Sequence, residues 1–419
     1  MKKTSVTKEK KQAVKKVCMR ISGRFLSVLI LCTLFLCPWQ VNGAAVSPVV
    51  SGNNTDAAHV GKPVTGAVCM FTGDLMCLKG QQYDAAMRNG AYDFYPSFRV
   101  VAQIFKEADY VCGNLETLIS ESNPLTKDRV EENGQPQCNG PVAYLDALKK
   151  AGFDAFATAN NHTCDWGAVG IEETKKYLDE YGFKNVGTRY GAYGESGERD
   201  EAKDEDRFII CDVKGIKVAV LSYTHLINQR GKMRWEELDG MVNLFDREKV
   251  KNDIDDAKKA GAEFVAVYMH FGTENTEELT SAQINDAEYV AQAGADLIIG
   301  SHPHCLQKCT YIETSDGREV LCMYSMGNFV SSMARDINND TLILKIDLVK
   351  TENEGKTEIS IKSASYIPCR VTPKFGHSFV VMPILRYSDG RCASRSLEEA
   401  AQRIAAIIDG VIPERGKKS

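Results

Sequence analysis

Two imidazoles bracket a proline in "GSHPHCLQ", residues 300–307, just after the apolar run "ADLII". Proline cannot continue a helix and disfavours helical backbone in the residue before it. His302 and His304 are therefore expected two apart on strand-like backbone, with their side chains on one side. Comparable polar residues end other apolar runs. Asp74 follows "AVCMFTG", Glu116 closes "KEADYVCGNLE", Asn161 and His162 close "KKAGFDAFATANNH", and His270 closes "FVAVYMH". Taken singly, each has an ordinary role available, as a turn residue, a helix cap or a hydrogen-bonded core histidine. Taken together, two carboxylates, an amide oxygen and several imidazoles form a mixed oxygen and nitrogen donor set. That set suits manganese, iron or zinc, whereas calcium or magnesium alone would want more oxygen. With no thiolate among the strand-end donors, it is unlike a closed structural zinc site. The chemistry implied is metal binding of the catalytic kind, which keeps open positions for water.

The elements that must position these residues follow a rhythm. A helix ends at an Ala-Gly or Ala-Asp pair, a short apolar strand follows, and the strand spills into a polar loop. Such strands read as buried on both faces, as in parallel sheets flanked by helices. In open α/β sheets the loops after the carboxyl ends of the strands line one crevice, so the polar endings are expected to converge there. Segments 208–212 and 217–223 read as a hairpin around Gly215, and "TLILKIDLVK" and "TEISIKSASYI" as antiparallel strands. A last helix is expected over 396–408. The polar stretches 120–139 and 189–206 read as solvated excursions. His225, in "SYTHLINQR", follows a strand and is a candidate to line the crevice, while His59 and His377 fall in no pattern.

The chain has 419 residues, 43% hydrophobic and 26% charged, which describes an ordinary globular protein of one large domain or two smaller ones. Residues 1–24 hold nine Lys or Arg and one acid, and "FLSVLILCTLFLCPW" follows. Residues 1–45 are expected to be a signal peptide or a membrane anchor that places the remainder outside the cytoplasm. This segment takes eight positive charges from a chain of net charge −5, leaving −13 on residues 46–419. So acidic a remainder is a poor binder of nucleic acid. Residues 46–62 read as a linker, 63–350 as the main domain, and 351–419 as strands and a helix completing it. Eleven of the 14 cysteines lie beyond residue 45. An odd number spread over apolar stretches reads as small buried hydrophobes rather than a disulfide frame, with Cys305 and Cys309 the closest pair.

The segments "TGDLM", "GNLETLIS", "TANNHTCDWGAVGIEET", "MHFGTE", "GSHPHCLQ" and "YSMGNFV" resemble, in order, the signatures of the bacterial capsule synthesis protein family CapA, associated with poly-gamma-glutamate. That family is similar in fold to calcineurin-like metallophosphoesterases. The resemblance implies an α/β fold, a two-layer β-sheet sandwich flanked by helices, with a metal centre. By it, Asp74, Glu116, Asn161, His270, His302 and His304 would be metal ligands. His162, held by a carboxylate such as Asp165, would be catalytic, donating a proton to the leaving group or stabilising the charge that develops on it. Three departures stand out. Met76 occupies the place of a histidine that follows the first aspartate in the phosphoesterases, Glu116 replaces a shorter bridging aspartate, and Phe271 and Asn275 stand where Trp and Tyr are more usual. The expected partners are an anionic polymer or phosphoester substrate, the membrane if the leader is retained, and a polymer synthesis or export machinery. Three readings remain open: a phosphoester hydrolase, an amidohydrolase that trims the polymer, and an accessory protein that binds polymer without cleaving it.

Overall fold

Strands with no polar face must be covered on both sides, and the architecture follows from that. A computed structural model of the chain describes residues 62–128, 136–191, 207–386 and 391–415. The expected leader, nearly all of the expected linker, and His59 lie outside the described residues. Sixteen strands and nine α-helices are described.

The first sheet contains β1 (Lys62–Leu75), β2 (Tyr110–Leu115), β5 (Ala155–Ala157), β6 (Lys184–Val186), β13 (Asn328–Val330), β14 (Asp340–Asn353), β15 (Lys356–Lys374) and β16 (His377–Pro383). Its order is β16-β15-β14-β1-β2-β5-β6, with β13 alongside β1. The second contains β7 (Ile209–Val213), β8 (Ile216–Thr224), β9 (Phe264–His270), β10 (Leu297–Ser301), β11 (Cys309–Glu313) and β12 (Glu319–Met323), in the order β11-β12-β10-β9-β8-β7. Two short strands, β3 (Leu118–Ile119) and β4 (Asn139–Gly140), pair apart from both.

A core of side chains from both sheets, including Phe71, Cys112, Val220, Tyr268, Ile299 and Leu344, lies between them. On the outer face of the first sheet pack α1 (Lys79–Ala85), α2 (Tyr95–Phe98), α3 (Val101–Phe105), α4 (Ala143–Ala151) and α5 (Gly167–Glu180), through Phe98, Phe105, Leu148 and Leu178 among others. After α6 (Trp235–Met241), helices α7 (Arg247–Lys259) and α8 (Ser281–Gln292) cover the outer face of the second sheet through Val250, Ile254 and Val290. The layers run α/β/β/α, as the resemblance implies. The helix α9 (Arg395–Ile408) buries Ala400, Ala401, Ile404 and Ile408 against the inter-sheet core.

Local signals account for the elements. Helix α8 opens with a capping box between Thr280 and Gln283, and the Asp246 side chain caps α7. Helix α4 ends at Gly152, whose φ of +103° only glycine adopts at little cost, and the chain turns there into β5. Strands β2 and β9 are buried along their whole length. The expected hairpin is present, β7 and β8 pairing antiparallel, and β14 and β15 pair antiparallel over 14 partners.

Two expectations are corrected. The strand ends do not share one sheet edge: β1, β2 and β5 run parallel in the first sheet, while β8, β9 and β10 run parallel in the second. Each sheet offers its own carboxyl edge to the site. The excursion 120–139 is not solvated throughout, because Ser120, Thr126, Cys138 and Asn139 are buried. The Asn139 side chain accepts from the Ser120 N–H and donates to three backbone carbonyls, folding the segment back on itself. Most of 189–206 lies outside the described residues.

The two strand ends that deliver ligands also pass very close to other backbone. A Cβ on Gly73 would lie 2.0 Å from the Gly327 carbonyl oxygen, and one on Gly300 would lie 1.9 Å from that of Tyr324. Backbone cannot yield as a flexible side chain does. Gly73→Ala and Gly300→Ala are each expected to lose about 1–3 kcal/mol or more of unfolding free energy, the usual scale of overpacking, as measured by urea denaturation. An unchanged midpoint in either variant contradicts the packing described.

Candidate metal centre and acid–base pair

The parallel register brings the predicted residues together. In β1, Asp74 lies opposite Asn114 of β2 and Asn328 of β13. Glu116 follows β2 directly, its N–H bonded to the Leu75 carbonyl at 3.1 Å. Asn161 and His162 lie in the loop after β5, His270 ends β9 opposite Ser301, and His302 and His304 follow β10. All seven are buried.

Their ligand atoms form two groups that share one carboxylate. Glu116, His270 and His302 offer atoms all within 4.8 Å of one another, and so do Asp74, Glu116 and His304. His270 Nε2 is 3.7 Å and His304 Nε2 3.8 Å from the same oxygen, Glu116 Oε1. Asn161 Oδ1 lies 3.1 Å from His270 Nε2. Neither oxygen of Glu116 has a hydrogen-bond partner, and His302 Nδ1 and the Asn161 amide nitrogen are also buried without one. A carboxylate stripped of water with no donor costs several kcal/mol, which a bound cation would offset.

The surrounding groups orient these donors. His270 Nδ1 lies 2.9 Å from Ser301 Oγ, and His304 Nδ1 lies 2.9 Å from Asn328 Oδ1. Protons on those Nδ1 atoms leave the Nε2 lone pairs facing Glu116. The Asn114 amide donates to Asp74 Oδ1 at 2.8 Å, turning Oδ2 toward His304. Burial pushes the Glu116 carboxyl well above its ordinary range, and the charge of Asp74 adds to the rise. Burial, with the neighbouring imidazoles adding to it, holds His270 well below its ordinary value and lowers His302 to about 3, so both are neutral and able to act as ligands. His304 differs. Burial alone would lower it, but the hydrogen bond and charge of Asp74 prevail and raise it.

The backbone of the His-Pro-His elbow departs from expectation. His302 has φ +96° and His304 φ +58°, so neither is extended. Non-glycine residues at positive φ cost about 1–3 kcal/mol each unless their surroundings hold them. Here the Asn275 N–H donates to the Pro303 carbonyl at 2.8 Å, and the Asn338 amide donates to the His304 carbonyl at 2.9 Å. The imidazoles still converge, with ring centroids 6.0 Å apart.

Beside the ligand groups, His162 Nδ1 lies 2.7 Å from Asp165 Oδ2, both residues buried. Asp165 does not cap α5. Its Oδ2 accepts from His162 and from the Cys138 backbone N–H. With Nδ1–H donated to Asp165, His162 Nε2 is left to hold or give up a proton. The Cys138 sulfur completes a third close group with His162 and Asp165, but those two already engage each other. Ser301, Asn328 and the Cys138 N–H escaped the sequence reading. The first two sit inside the quoted motifs, while a backbone donor leaves no residue-type signal.

The remaining histidines fall in neither group around Glu116. His225 is exposed, its ring stacked 4.2 Å from that of Phe245 and its Nε2 3.6 Å from Asp286. His377 pairs with Asp84. None of the eleven described cysteines is in a disulfide, Cys305 and Cys309 included. A cavity of about 750 Å³ opens between α8 and β11, and none of the candidate ligands lines it.

Residues 68–333 match the family model described as bacterial capsule synthesis protein PGA_cap. The chain belongs to this family. It is 27% identical over 322 residues to the capsule biosynthesis protein CapA of Bacillus anthracis, covering 76% of this chain and 71% of that one. It is 28% identical over 292 residues to the PGA biosynthesis protein CapA of Bacillus subtilis, covering 69% and 70%. Among solved structures it is similar to the calcineurin-like phosphoesterase YfkN from Bacillus subtilis, with TM-score 0.39 and 14% identity over 83% of this chain and 98% of that one.

Within this PGA_cap chain the three departures have structural settings. Met76 is buried, and its carbonyl accepts from the Gln81 amide and the Tyr144 hydroxyl. Each of the two groups offers three candidate donors without one at that place. Phe271 is buried beside Tyr324, and Asn275 holds Pro303.

Glu116 yields a test that uses the chelator-treated protein. Its folded-state carboxyl titrates above the ordinary value of 4.5, so the folded chain binds more protons than the unfolded one and its stability contribution fades as pH rises. Metal-free Glu116→Gln is expected to match the native chain near pH 4.5 and to gain on it steadily toward pH 8, by urea unfolding. With metal added the order should reverse. A pH-independent difference would contradict an unpaired buried carboxylate.

Proposed function

We propose that this chain is a metal-dependent hydrolase of poly-gamma-glutamate capsule or exopolymer biosynthesis, acting outside the cytoplasm on a phosphoester or amide bond. The observation that carries this reading is the His162–Asp165 pair, buried at 2.7 Å beside two ligand groups that share Glu116. A site that only gripped polymer would have no use for an imidazole whose Nδ1 is fixed and whose Nε2 is free.

Glu116, His270 and His302 would hold one divalent ion and Asp74, Glu116 and His304 a second, with Asn161 Oδ1 beside the first. The ion type follows from the donors, which suit manganese, iron or zinc. Bound there, divalent ions supply Lewis acidity that brings the pKa of water toward neutrality and polarises the reacting centre. The chain's own groups supply the rest. Asp165 fixes the ring of His162, and His162 Nε2 delivers the proton to the leaving oxygen or nitrogen. Burial of the donors excludes bulk water from the reacting centre and strengthens their charges. The extracytoplasmic placement rests on the basic and apolar character of residues 1–45. Among the described residues no helix is long and apolar enough to cross a membrane.

His162→Ala is expected to lower turnover of a generic aryl phosphodiester or a gamma-glutamyl amide by about 10²–10⁴-fold with its metal content unchanged, and Asp165→Asn to lower it less. The double change His302→Ala, His304→Ala should strip metal as well, by elemental analysis. Metal retained in that double variant overturns the ligand assignment. A metal-loaded native chain with no turnover, whose cells lose polymer export on His162→Ala, would make it an accessory binding protein instead.

A further inference from the structure

Strand β1 carries one residue more than its neighbour β2 can match. From Phe71 to Asp74 it takes three steps while β2 takes two, from Cys112 to Asn114. The surplus forms a β-bulge at Thr72 and Gly73, which stand together opposite Gly113 and have no register partner among the described strands. A Cβ on Gly113 would lie 2.6 Å from Thr72 Oγ1 and 2.8 Å from Leu75 Cδ1, so the missing side chain is what makes room. The bulge reverses the side that later residues face. Cys69 and Phe71 point into the inter-sheet core and Met70 toward the outer helices, so on a regular strand Asp74 would follow Met70 outward. Instead Leu75 joins the outer cluster, and Asp74 faces inward with Oδ2 3.6 Å from His304 Nδ1 across the sheets.

A side chain of the second sheet reaches across to this bulge. The Tyr268 hydroxyl lies 3.2 Å from the Thr72 carbonyl oxygen and 2.9 Å from that of Cys112, and it donates its proton between them. Those carbonyls lie two residues before Asp74 and two before Asn114. Tyr268 is buried, and burial pushes its hydroxyl well above the ordinary value, so it stays a donor. Along β9, Phe264, Ala266 and Tyr268 face the inter-sheet core while Val265, Val267 and Met269 face outward. His270, two residues beyond Tyr268, shares its side of the strand.

We infer that Tyr268 is a positioning residue of the metal centre: by tying the bulge of β1 and the backbone of β2 to β9, it fixes the gap across which Asp74 and Glu116 meet His270, His302 and His304. This rests on the reading of those residues as metal ligands, and it adds which group sets their spacing. Both groups that share Glu116 draw donors from the two sheets, so a change in the gap misplaces donors in both. Tyr268 acts through the backbone alone, as a clamp beneath the ligands.

The test uses the full chain, freed of metal and titrated with Mn²⁺ alone. Tyr268→Phe is compared with Tyr223→Phe, which removes a buried hydroxyl that donates to Asp253 Oδ2 at 2.7 Å on the outer face of the second sheet. Both variants are expected to fold, with similar losses in unfolding midpoint. Mn²⁺ affinity should fall by about 10–100-fold in Tyr268→Phe, the usual scale for groups that orient ligands without touching metal, and by less than about twofold in Tyr223→Phe. Before metal is added, amide hydrogen exchange at Asp74, Met76 and Glu116, whose N–H groups bond to the carbonyls of Gly327, Val330 and Leu75, should quicken at least about tenfold in Tyr268→Phe alone. Native-like Mn²⁺ affinity or unchanged exchange in Tyr268→Phe, or equal effects in the two variants, overturns the assignment. Failure of the metal reading is separate: a native chain that binds no Mn²⁺, with exchange quickened in Tyr268→Phe alone, refutes the metal centre and leaves the clamp on Asp74 standing.

Discussion

The structure is organised around one unfavourable act, the burial of a carboxylate that no hydrogen bond among the described residues satisfies. Glu116 is inaccessible, has no donor at either oxygen, and faces Asp74 and two imidazole nitrogens. Protonation relieves it in the metal-free chain, which is why its carboxyl titrates high. A cation on each side would relieve it better, since the groups around Glu116 also offer donors from His270, His302, Asp74 and His304. The rest of the fold can be seen as the means of holding that arrangement still against the repulsion it contains.

Stillness comes from backbone more than from side chains. The carboxyl ends of β1 and β10 approach other strands so closely that only glycine fits at positions 73 and 300. Just beyond, the chain carries His302 and His304 at positive φ, held by Asn275 and Asn338 through main-chain carbonyls. The sheets provide rigidity, the loops provide reach, and among the donors the strain falls on His302 and His304.

What could be read from the sequence follows the same division. Asp74, Glu116, Asn161, His270, His302 and His304 were legible because each ends an apolar run, and strand ends in α/β folds converge. The two-sheet layering was not legible from that rhythm, since β2 and β9 look alike although they belong to different sheets; it came only with the family resemblance. Ser301 and Asn328 were hidden because their roles depend on register across strands, β9 beside β10 and β1 beside β13. The elbow misled because proline constrains the residue before it only as a preference, and two hydrogen bonds to its carbonyls outweigh that preference.

The thiols clarify the choice of donor chemistry. Cysteines outside any disulfide would be strong competitors for soft metals if they ionised. Burial prevents it, pushing the Cys69, Cys164, Cys305 and Cys309 thiols to about 12. At those four positions the proton stays on sulfur, and the two groups that share Glu116 consist of carboxylate and imidazole alone. Burial thus acts in opposite senses on the two kinds of group: it silences the cysteines as ligands, and it readies His270 and His302 by keeping them unprotonated. One desolvated interior selects the donors and, through them, the class of metal that suits the site.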